Sequence, residues 1–206
     1  MTRVTGVLVT DFDGTMTQRD FYDLVCERQA DMETRAYWDR YERGEITHFD
    51  AMAGIYAQLR GPERDLDSLL DRMELDPDLP RAISRLEGAG WRIRVVSAGS
   101  AWYIDRLLAR AGVRLEVHAN PGVYHPEGGL RLSRPEGSPY YSRAVGVDKL
   151  AVVRAARAEN VRTAYAGDGR TDLPPAEAVP AQDRFARGWL ADALSRRGET
   201  FTSFTR

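Results

Sequence analysis

The chain has 206 residues, of which 43% are hydrophobic and 29% are charged, and its formal net charge is −2. This composition is ordinary for a globular domain, and the small charge argues against a general attraction to nucleic acid or to an acidic membrane. The single cysteine, Cys26, excludes an intrachain disulfide, and no apolar run approaches the length of a membrane span. Since little sequence precedes the first predicted strand, we expect no signal peptide and a cytoplasmic protein.

The first predicted element is a short buried strand over residues 4–10, an apolar and β-branched run. Asp11 and Asp13 follow it one residue apart, and Gly14 and Thr15 come next. Because ligands bind at the carboxyl ends of strands in open parallel α/β sheets, we expect a site here. Two carboxylates this close repel each other, and a cation between them would remove the repulsion. Gly14 would permit a sharp turn close to a ligand, and Thr15 adds a hydroxyl donor.

Two other interpretations of this stretch are an acidic turn and a calcium-binding loop. Asp and Gly are common turn residues, so the first interpretation stays open on this stretch alone. An EF-hand loop needs a glutamate at its twelfth position, and counting from Asp11 that position holds Tyr22. The calcium loop is therefore excluded.

Residues 17–76 predict a series of helices with no convincing strand. Asp20 is placed to cap the first helix, and Thr47 with Asp50 three residues later matches a capping box. The pattern predicts an all-helical insertion between the first strand and the next βα unit, large enough to cover the site. The alternative is a helical subdomain of the core whose aromatic side chains pack inside it.

The core is expected to resume at residue 77, with a helix and then a strand over residues 91–96. Ser97, Ala98 and Gly99 follow that strand and precede another helix. A serine placed there can hold phosphate through its hydroxyl, helped by nearby backbone N–H groups. The alternative is that Ser97 only caps the turn.

A Gly-, Pro- and Ser-rich excursion over residues 121–143 is predicted to contain a hairpin. His118 and His125 have no partner at metal-ligand spacing, so we interpret them as core or loop histidines. The next helix is predicted to begin at residue 147, and Lys149 falls in its first turn, where a cation is unfavourable unless an anion lies nearby. A solvated surface lysine is the alternative.

A further strand is predicted over residues 161–166, and it also ends in acids. Asp168 follows this strand, and Asp172 opens the next helix. A last strand over residues 183–186 and a closing helix over residues 188–197 complete the predicted core. Acids therefore follow two predicted strands, and both pairs would meet at the same edge of a parallel sheet.

In chain order, these stretches resemble the four-motif signature of haloacid dehalogenase (HAD)-superfamily phosphatases. The motifs are Asp11-x-Asp13-Gly-Thr, Ser97, Lys149 and Gly167-Asp168-x-x-x-Asp172. The resemblance covers the whole chain, because the helical insertion falls where one subclass of the superfamily has its cap. It implies an α/β fold with a three-layer, Rossmann-like core and a parallel sheet (residues 1–16 and 77–206) and an inserted all-helical cap (residues 17–76).

Several stretches are similar to the phosphoserine phosphatase-like group within that superfamily. They are Val96-Ser-Ala-Gly99, His118-Ala-Asn120, Ala166-Gly-Asp168-Gly and Phe185-Ala-Arg187-Gly-Trp189-Leu190. The last two look most like the methionine-salvage branch, whose enzyme dephosphorylates 2-hydroxy-3-keto-5-methylthiopentenyl 1-phosphate.

The resemblance implies Mg²⁺-dependent hydrolysis of a small phosphorylated metabolite through an aspartyl phosphate. Asp11 would be the nucleophile, and Asp13 would be the general acid and base. The substrate-binding residues would be Gly14, Thr15, Ser97, Ala98, Gly99 and Lys149. Mg²⁺ would be bound by Asp11, the backbone carbonyl of Asp13 and Asp168, with Asp172 orienting these ligands.

The substrate prediction depends on the cap. Phosphoserine enzymes carry a cap arginine for the substrate carboxylate, and the corresponding place here falls near Gly54, with Met52, Ile55 and Tyr56 close by. This predicts a substrate with an uncharged or partly apolar body. The alternatives are phosphoserine and a non-catalytic phosphometabolite sensor on the same scaffold. A receiver-like signalling domain is disfavoured, because it has no helical insertion after its first strand.

Overall fold

The computed structural model describes residues 4–29 and 32–205. In chain order the strands are β1 (Gly6–Thr10), β2 (Trp91–Ser100), β3 (Glu116–Asn120), β4 (Gly122–His125), β5 (Gly129–Leu132), β6 (Tyr141–Ser142), β7 (Gly146–Val147), β8 (Arg162–Gly167), β9 (Arg184–Ala186) and β10 (Thr202–Ser203). The α-helices are α1 (Phe21–Arg28), α2 (Met32–Glu42), α3 (His48–Tyr56), α4 (Glu63–Asp71), α5 (Leu79–Gly88), α6 (Ala101–Arg110), α7 (Lys149–Ala158), α8 (Leu173–Glu177) and α9 (Gly188–Arg196). Within these described residues, no helix combines the length and the apolar character needed to cross a bilayer.

Six strands form a parallel sheet in the order β10-β9-β8-β1-β2-β3. The central strand is β1, in which Gly6 is in register with Trp91 of β2 and with Arg162 of β8. The chain builds the sheet outward from β1 to β3 and then from β8 to β10, so the strand order reverses between β1 and β8. Such a reversal is where open α/β sheets bind ligands, at the carboxyl ends of the strands.

Helices cover both faces of this sheet. Val7 and Val9 of β1 belong to an apolar cluster with residues of α7, α8 and α9. Ile93 and Val95 of β2 belong to a second cluster with residues of α5 and α6. The predicted α/β fold with a parallel sheet and a Rossmann-like, three-layer core is therefore confirmed.

Helices α1 to α4 lie between β1 and α5, where the helical insertion was predicted. Both predicted caps form: Asp20 accepts a hydrogen bond from the Tyr22 N–H (2.7 Å), and Thr47 and Asp50 form a capping box. Many apolar side chains of these helices belong to the same buried cluster as α5 and α6. The division into a core (residues 1–16 and 77–206) and a cap (residues 17–76) stays a prediction.

The chain enters and leaves this helical insert at one place. Thr17 and Leu75 form an antiparallel bridge, and the Gln18 N–H donates to the Met73 carbonyl (3.0 Å). The Asp76 N–H donates to the carbonyl of Met16 (3.0 Å). The two linkers are therefore bonded to each other beside the end of β1.

The predicted hairpin in the excursion is formed by β4 and β5, and it contacts the insert. The Tyr124 hydroxyl donates to the Gly61 carbonyl (2.7 Å), and the Gly61 N–H donates to the Pro126 carbonyl (3.1 Å). Arg134, beyond the hairpin, forms an ion pair with Asp50 of α3 (2.6 Å). The insert is thus held at its linkers and also by the excursion.

Two predicted boundaries were wrong. The second strand does not end at residue 96, because β2 continues through Ser100. Its pairing with β3 is irregular between Val96 and Ser100, so this stretch remains extended while the register shifts. Val147 belongs to β7, and α7 begins at Lys149 with the Asp148 carboxylate capping the Ala151 N–H.

Candidate active site

Asp11 lies directly beyond the central strand, and its backbone continues the pairing with β8. Its N–H donates to the Ala166 carbonyl (2.9 Å). Its Oδ1 accepts from the Phe12 N–H (2.8 Å) and lies 2.9 Å from the Lys149 ammonium. The sequence places Asp11 here because the apolar strand ends at the point where the strand order reverses.

Lys149 joins the first and last predicted motifs. Its buried ammonium lies 2.9 Å from Asp11 Oδ1 and 2.6 Å from Asp172 Oδ1. These two carboxylates are the anions that a lysine at this helix start requires. Burial alone would lower the pKa of Lys149, but the charges of Asp11 and Asp172 outweigh it and raise the pKa. Lys149 therefore stays a cation.

Asp172 is fully engaged by neighbouring donors. Besides Lys149, its Oδ1 accepts from the Tyr165 hydroxyl (2.5 Å). Its Oδ2 accepts from the backbone N–H groups of Asp168 (3.1 Å) and Gly169 (2.7 Å). Burial opposes ionisation of Asp172, but Lys149 and the hydrogen bonds hold its pKa below the ordinary value. Asp172 is thus a fixed anion that orders the loop after β8.

The cluster around Lys149 carries an excess of negative charge. Burial raises the pKa of Asp11 well above its usual range, and Asp172 adds to this effect while Lys149 opposes it. Burial, and then Asp172, raise the pKa of Asp168 to about 6. One ammonium thus faces three carboxylates, which is a charge balance that favours an added cation.

The donor set fits a divalent metal ion. One carboxylate oxygen from each of Asp11, Asp168 and Asp172 lies within 4.8 Å of the others. Mg²⁺ binds oxygen ligands at about 2.0–2.1 Å, so these atoms are close enough to share an ion after small side-chain movements. The Asp13 carboxylate does not belong to this group. The ligand predicted from Asp13 is its backbone carbonyl.

Gly14 and Thr15 face Asp168. Gly14 has a φ of 65°, and a Cβ on it would lie 2.3 Å from an Asp168 carboxylate oxygen. The Thr15 hydroxyl donates to Asp168 Oδ1 (2.9 Å). Both residues were predicted to bind substrate, and in this structure they make room for and orient a predicted metal ligand.

Asp13 occupies different surroundings, among hydroxyl groups. Its Oδ2 accepts from the Tyr103 hydroxyl (2.7 Å) and from the Ser97 hydroxyl (3.2 Å), and its Oδ1 accepts from the Phe21 N–H (3.3 Å). Burial raises the pKa of Asp13, and these hydrogen bonds oppose the rise. The Ser97 hydroxyl, predicted to hold phosphate, also accepts from the Gly99 N–H (2.9 Å).

A cavity of about 280 Å³ opens between the sheet edge and the insert. All four predicted motifs reach it, and Ser97, Ala98 and Gly99 line it together with Asp11, Asp13, Lys149 and Asp168. The insert contributes Asp20, Tyr22, Trp38, Tyr41, His48, Met52 and Tyr56. The rings of Trp38 and Tyr41 are in contact (5.1 Å between centroids). The wall opposite the carboxylates is therefore largely aromatic.

The predicted environment of Gly54 was wrong in detail. A Cβ on Gly54 would lie 2.3 Å from the Tyr37 ring, so this residue faces α2 and not the cavity. Ile55 is fully buried and does not line the cavity, whereas Met52 and Tyr56 do. The third α3 residue on that face is His48, whose pKa burial and Lys149 lower to about 4, so its ring is neutral at pH 7.

Several lining residues were not identified from the sequence as site residues. They are Tyr103, Arg170 and Trp189. Tyr165, which was also not identified, does not line the cavity but donates its hydroxyl to Asp172. Asp20 was predicted only as a helix cap, yet it also lines the cavity, and burial raises its pKa well above the usual range, with Asp13 adding to the rise. Arg170 is one of the unspecified positions inside the predicted Gly167–Asp172 motif, which was the available signal.

The sequence of the chain matches the model of a known family. The haloacid dehalogenase-like hydrolase family matches residues 8–177. The chain belongs to this family. The match begins within β1 and includes the helical insert and the loop after β8, so it spans most of the elements that form the cavity.

Among curated relatives, phosphoserine phosphatases are prominent. The chain is 30% identical over 184 residues to phosphoserine phosphatase of Streptococcus thermophilus, covering 84% of this chain and 80% of that protein. It is 29% identical over 111 residues to phosphoserine phosphatase of Idiomarina loihiensis, covering 53% of this chain and 50% of that protein. These matches support a phosphatase similar to phosphoserine phosphatases.

Solved structures share the fold. A HAD-family hydrolase from Salmonella enterica serovar Typhi superposes with a TM-score of 0.70 at 18% identity, covering 98% of this chain and 68% of that one. A phosphoserine phosphatase described as a phospho-aspartyl intermediate analogue superposes with a TM-score of 0.65 at 15% identity, covering 100% of this chain and 95% of that one. Both likenesses concern the fold.

Proposed function

We propose that this enzyme is a Mg²⁺-dependent phosphatase that hydrolyses a small phosphate monoester through an aspartyl phosphate on Asp11. The observation that carries the proposal is that two carboxylates separated by one residue in sequence have different partners. Asp11 is paired with the Lys149 ammonium, whereas Asp13 is held by neutral hydroxyl groups. One carboxylate is suited to nucleophilic attack and the other to proton transfer.

The reaction is proposed in two steps at phosphorus. Phe12 and Lys149 hold Oδ1 of Asp11, so we assign the attack to Oδ2, which bonds to phosphorus as the bond to the leaving oxygen breaks. Asp13 gives its proton to that oxygen. Asp13 then takes a proton from water as the water oxygen bonds to phosphorus and the Asp11 oxygen leaves. The products are an alcohol and inorganic phosphate, and both carboxyl groups return to their starting states.

Mg²⁺ would be held by Asp11, Asp168 and the backbone carbonyl of Asp13. When bound, it would supply positive charge that offsets the carboxylates and the phosphoryl group. Asp172 would orient this group through the backbone of Asp168, to which it is bonded. In addition to the metal ion, the protein provides a positive charge of its own beside Asp11, the Lys149 ammonium. Ser97 would donate to a phosphoryl oxygen by turning its hydroxyl from Asp13.

We infer that residues 17–76 act as a cap that binds the part of the substrate beyond the phosphate and so determines substrate specificity. The predicted motifs all lie on the core side of the cavity, so contacts with the leaving group must come from the insert. That wall is aromatic, and among the described residues the cationic ones that line the cavity, Lys149 and Arg170, both belong to the core. An uncharged or partly apolar leaving group fits such a wall.

The substrate that we propose is a phosphomonoester with such a body, for example 2-hydroxy-3-keto-5-methylthiopentenyl 1-phosphate. The motifs Ala166-Gly-Asp168-Gly and Phe185–Leu190 support that example through their resemblance to the methionine-salvage branch. Phosphoserine is the second candidate. It is favoured by the curated relatives and by Asp20 and Arg170, which offer an anion and a cation at the cavity.

A panel of phosphorylated metabolites with Mg²⁺ tests the proposal. We expect turnover of p-nitrophenyl phosphate, and a higher kcat/KM for neutral thioether or sugar-like esters than for phosphoserine. Phosphoserine as the best substrate would replace the substrate proposal and leave the phosphatase intact. Tight binding of the esters with no phosphate release from any of them would instead indicate a sensor.

A further inference from the structure

Tyr103 is a buried tyrosine of α6 that reaches the predicted general acid. Its side chain is inaccessible to solvent, and its hydroxyl donates to Asp13 Oδ2 over 2.7 Å. Gly99 leaves the space for this contact. A Cβ on Gly99 would lie 1.7 Å from the Tyr103 oxygen and 3.0 Å from Asp13 Oδ2. The glycine of the second motif is therefore required by the Tyr103–Asp13 pair, whatever it also does for substrate.

The two oxygens of Asp13 are not equivalent. Oδ2 accepts two hydroxyl hydrogen bonds, from Tyr103 and from Ser97 at 3.2 Å. Oδ1 accepts one longer bond, from the Phe21 N–H at 3.3 Å. A carboxylate oxygen has two lone pairs, so Oδ2 has no lone pair left for a proton while both hydroxyl groups donate to it.

We propose that Tyr103 is a positioning residue that fixes the Asp13 carboxyl so that Oδ1 transfers the proton in both chemical steps. The inference rests on the proposed function, because it assigns an atom within that reaction. When Ser97 turns to the phosphoryl group, Tyr103 remains on Oδ2 at 2.7 Å, whereas Oδ1 accepts only the longer bond from the Phe21 N–H (3.3 Å). Oδ1 thus stays the less strongly hydrogen-bonded and more basic oxygen. Tyr103 therefore holds the carboxyl in place at the moment when the proton moves.

The ring of Tyr103 is itself held by the insert. Phe21 stacks on it with 4.4 Å between ring centroids and an angle of 30°, and Phe21 meets Tyr56 of α3 edge-on at 5.2 Å. The backbone N–H of the same Phe21 bonds Asp13 Oδ1. Phe21 thus touches both the proton-transferring atom and the residue that orients it. A displaced insert would disturb both contacts together.

The test is Tyr103→Phe, which keeps the packed ring and removes only the hydroxyl. For an alkyl phosphate, whose leaving oxygen needs a proton, we expect kcat to fall about 10-fold or more, part of the ~10²–10⁴-fold effect of general acid–base catalysis. We expect KM to stay within about twofold. For p-nitrophenyl phosphate, the first step needs little protonation, so the phosphoenzyme should accumulate because its hydrolysis still needs Asp13.

The matched control is Tyr124→Phe. Tyr124 is also buried, packs against Trp102 of α6, and donates its hydroxyl to a backbone carbonyl over 2.7 Å, but it does not contact Asp13. We expect this variant to keep the parent kcat on both substrates. The burst amplitude with p-nitrophenyl phosphate counts functional sites, so partial unfolding of either variant lowers the amplitude and leaves the rate constants per site unchanged.

A double-mutant cycle with Asp13→Asn decides whether Tyr103 acts through Asp13. If it does, adding Tyr103→Phe to Asp13→Asn lowers kcat no further. Independent effects that multiply, or a Tyr103→Phe variant with the parent kcat on alkyl phosphates, would overturn the inference. Parent enzyme that releases no phosphate from any ester would instead contradict the proposed function, so the two failures are distinct.

Discussion

At the scale of single residues, Asp11 and Asp13 show how two similar side chains acquire different chemistry. Burial and then Asp172 raise the pKa of Asp11 well above its usual range, and the Lys149 ammonium opposes this rise. Asp13 has no such partner at contact distance among the described residues, and burial raises its pKa. Burial therefore shifts the pKa of both carboxyl groups in the same direction, and what distinguishes them is the partner that opposes the shift: an ammonium at Asp11 and hydroxyl groups at Asp13. The strand ends at Thr10 and a turn follows, in which the Met16 N–H donates to the Phe12 carbonyl (2.8 Å), so Asp13 does not continue the strand geometry of Asp11.

We predict that Asp11→Asn abolishes turnover and leaves the fold intact. A neutral amide is a poor nucleophile and a poor metal ligand, whereas its size lets the contacts with Phe12 and Lys149 persist. Steady-state kinetics with p-nitrophenyl phosphate and a circular dichroism melt measure the two properties. Activity close to that of the parent would remove Asp11 from the role of nucleophile.

We predict that Asp13→Asn reduces kcat by about 10²–10⁴-fold without abolishing attack on activated esters. A p-nitrophenolate leaving group needs little protonation, so Asp11 should still be phosphorylated. Intact-mass spectrometry after rapid quenching should show one added phosphate on the variant. An unmodified mass throughout the burst would count against Asp13 as the base of the second step.

At the scale of elements, the aromatic wall of the insert comes from three helices. Tyr22 lies on α1, Trp38 and Tyr41 on α2, and His48 and Met52 on α3. Trp38 contacts Tyr22, Tyr41 and His48. Trp38 is therefore the centre of the wall, whereas Tyr56 also lines the cavity but is almost fully buried.

We predict that Trp38→Ala changes substrate preference more than it changes catalysis. Loss of the indole should raise KM for large neutral esters by about 10-fold or more, since an aromatic contact and its buried area are removed. Acetyl phosphate, whose leaving group has two carbons, should keep its kcat/KM within about threefold. An equal loss for all substrates would mean that the insert does not read the leaving group.

The sequence predicted the elements much better than the directions of their side chains. Local patterns were sufficient for the caps at Asp20 and Thr47, because capping depends on residues within one turn. The direction of Gly54 depends on how α2 packs on α3, which no local pattern encodes. The role of Tyr103 could not be predicted for the same reason, because its contact with Asp13 joins residues that are 90 positions apart. The continuation of β2 to Ser100 depends on its pairing with β3.

At the scale of the whole molecule, metal binding and folding are expected to be linked. The buried carboxylates around Lys149 repel one another, and a bound cation relieves that repulsion only in the folded chain. We predict that Mg²⁺ raises the melting temperature of the parent. At a magnesium concentration of 100 times the Kd, binding should add about 2.7 kcal/mol to the free energy of unfolding. The magnesium-dependent rise should be much smaller in Asp168→Asn. Chelation should abolish activity, and Mg²⁺ should restore it. Equal magnesium responses in parent and variant would exclude Asp168 as a ligand.

The parallel sheet also has a consequence for the synthesis of the chain. Gly6 of β1 pairs with Arg162 of β8, which is 156 residues later. At about 5–20 residues per second, the ribosome needs roughly 8–30 s to make the intervening chain. During that time β1, an apolar strand, lacks one of its two neighbours. The helices of the insert contact one another locally, so they can form before β8 has been synthesised. We therefore expect the yield of folded enzyme to depend on how quickly synthesis reaches residue 167.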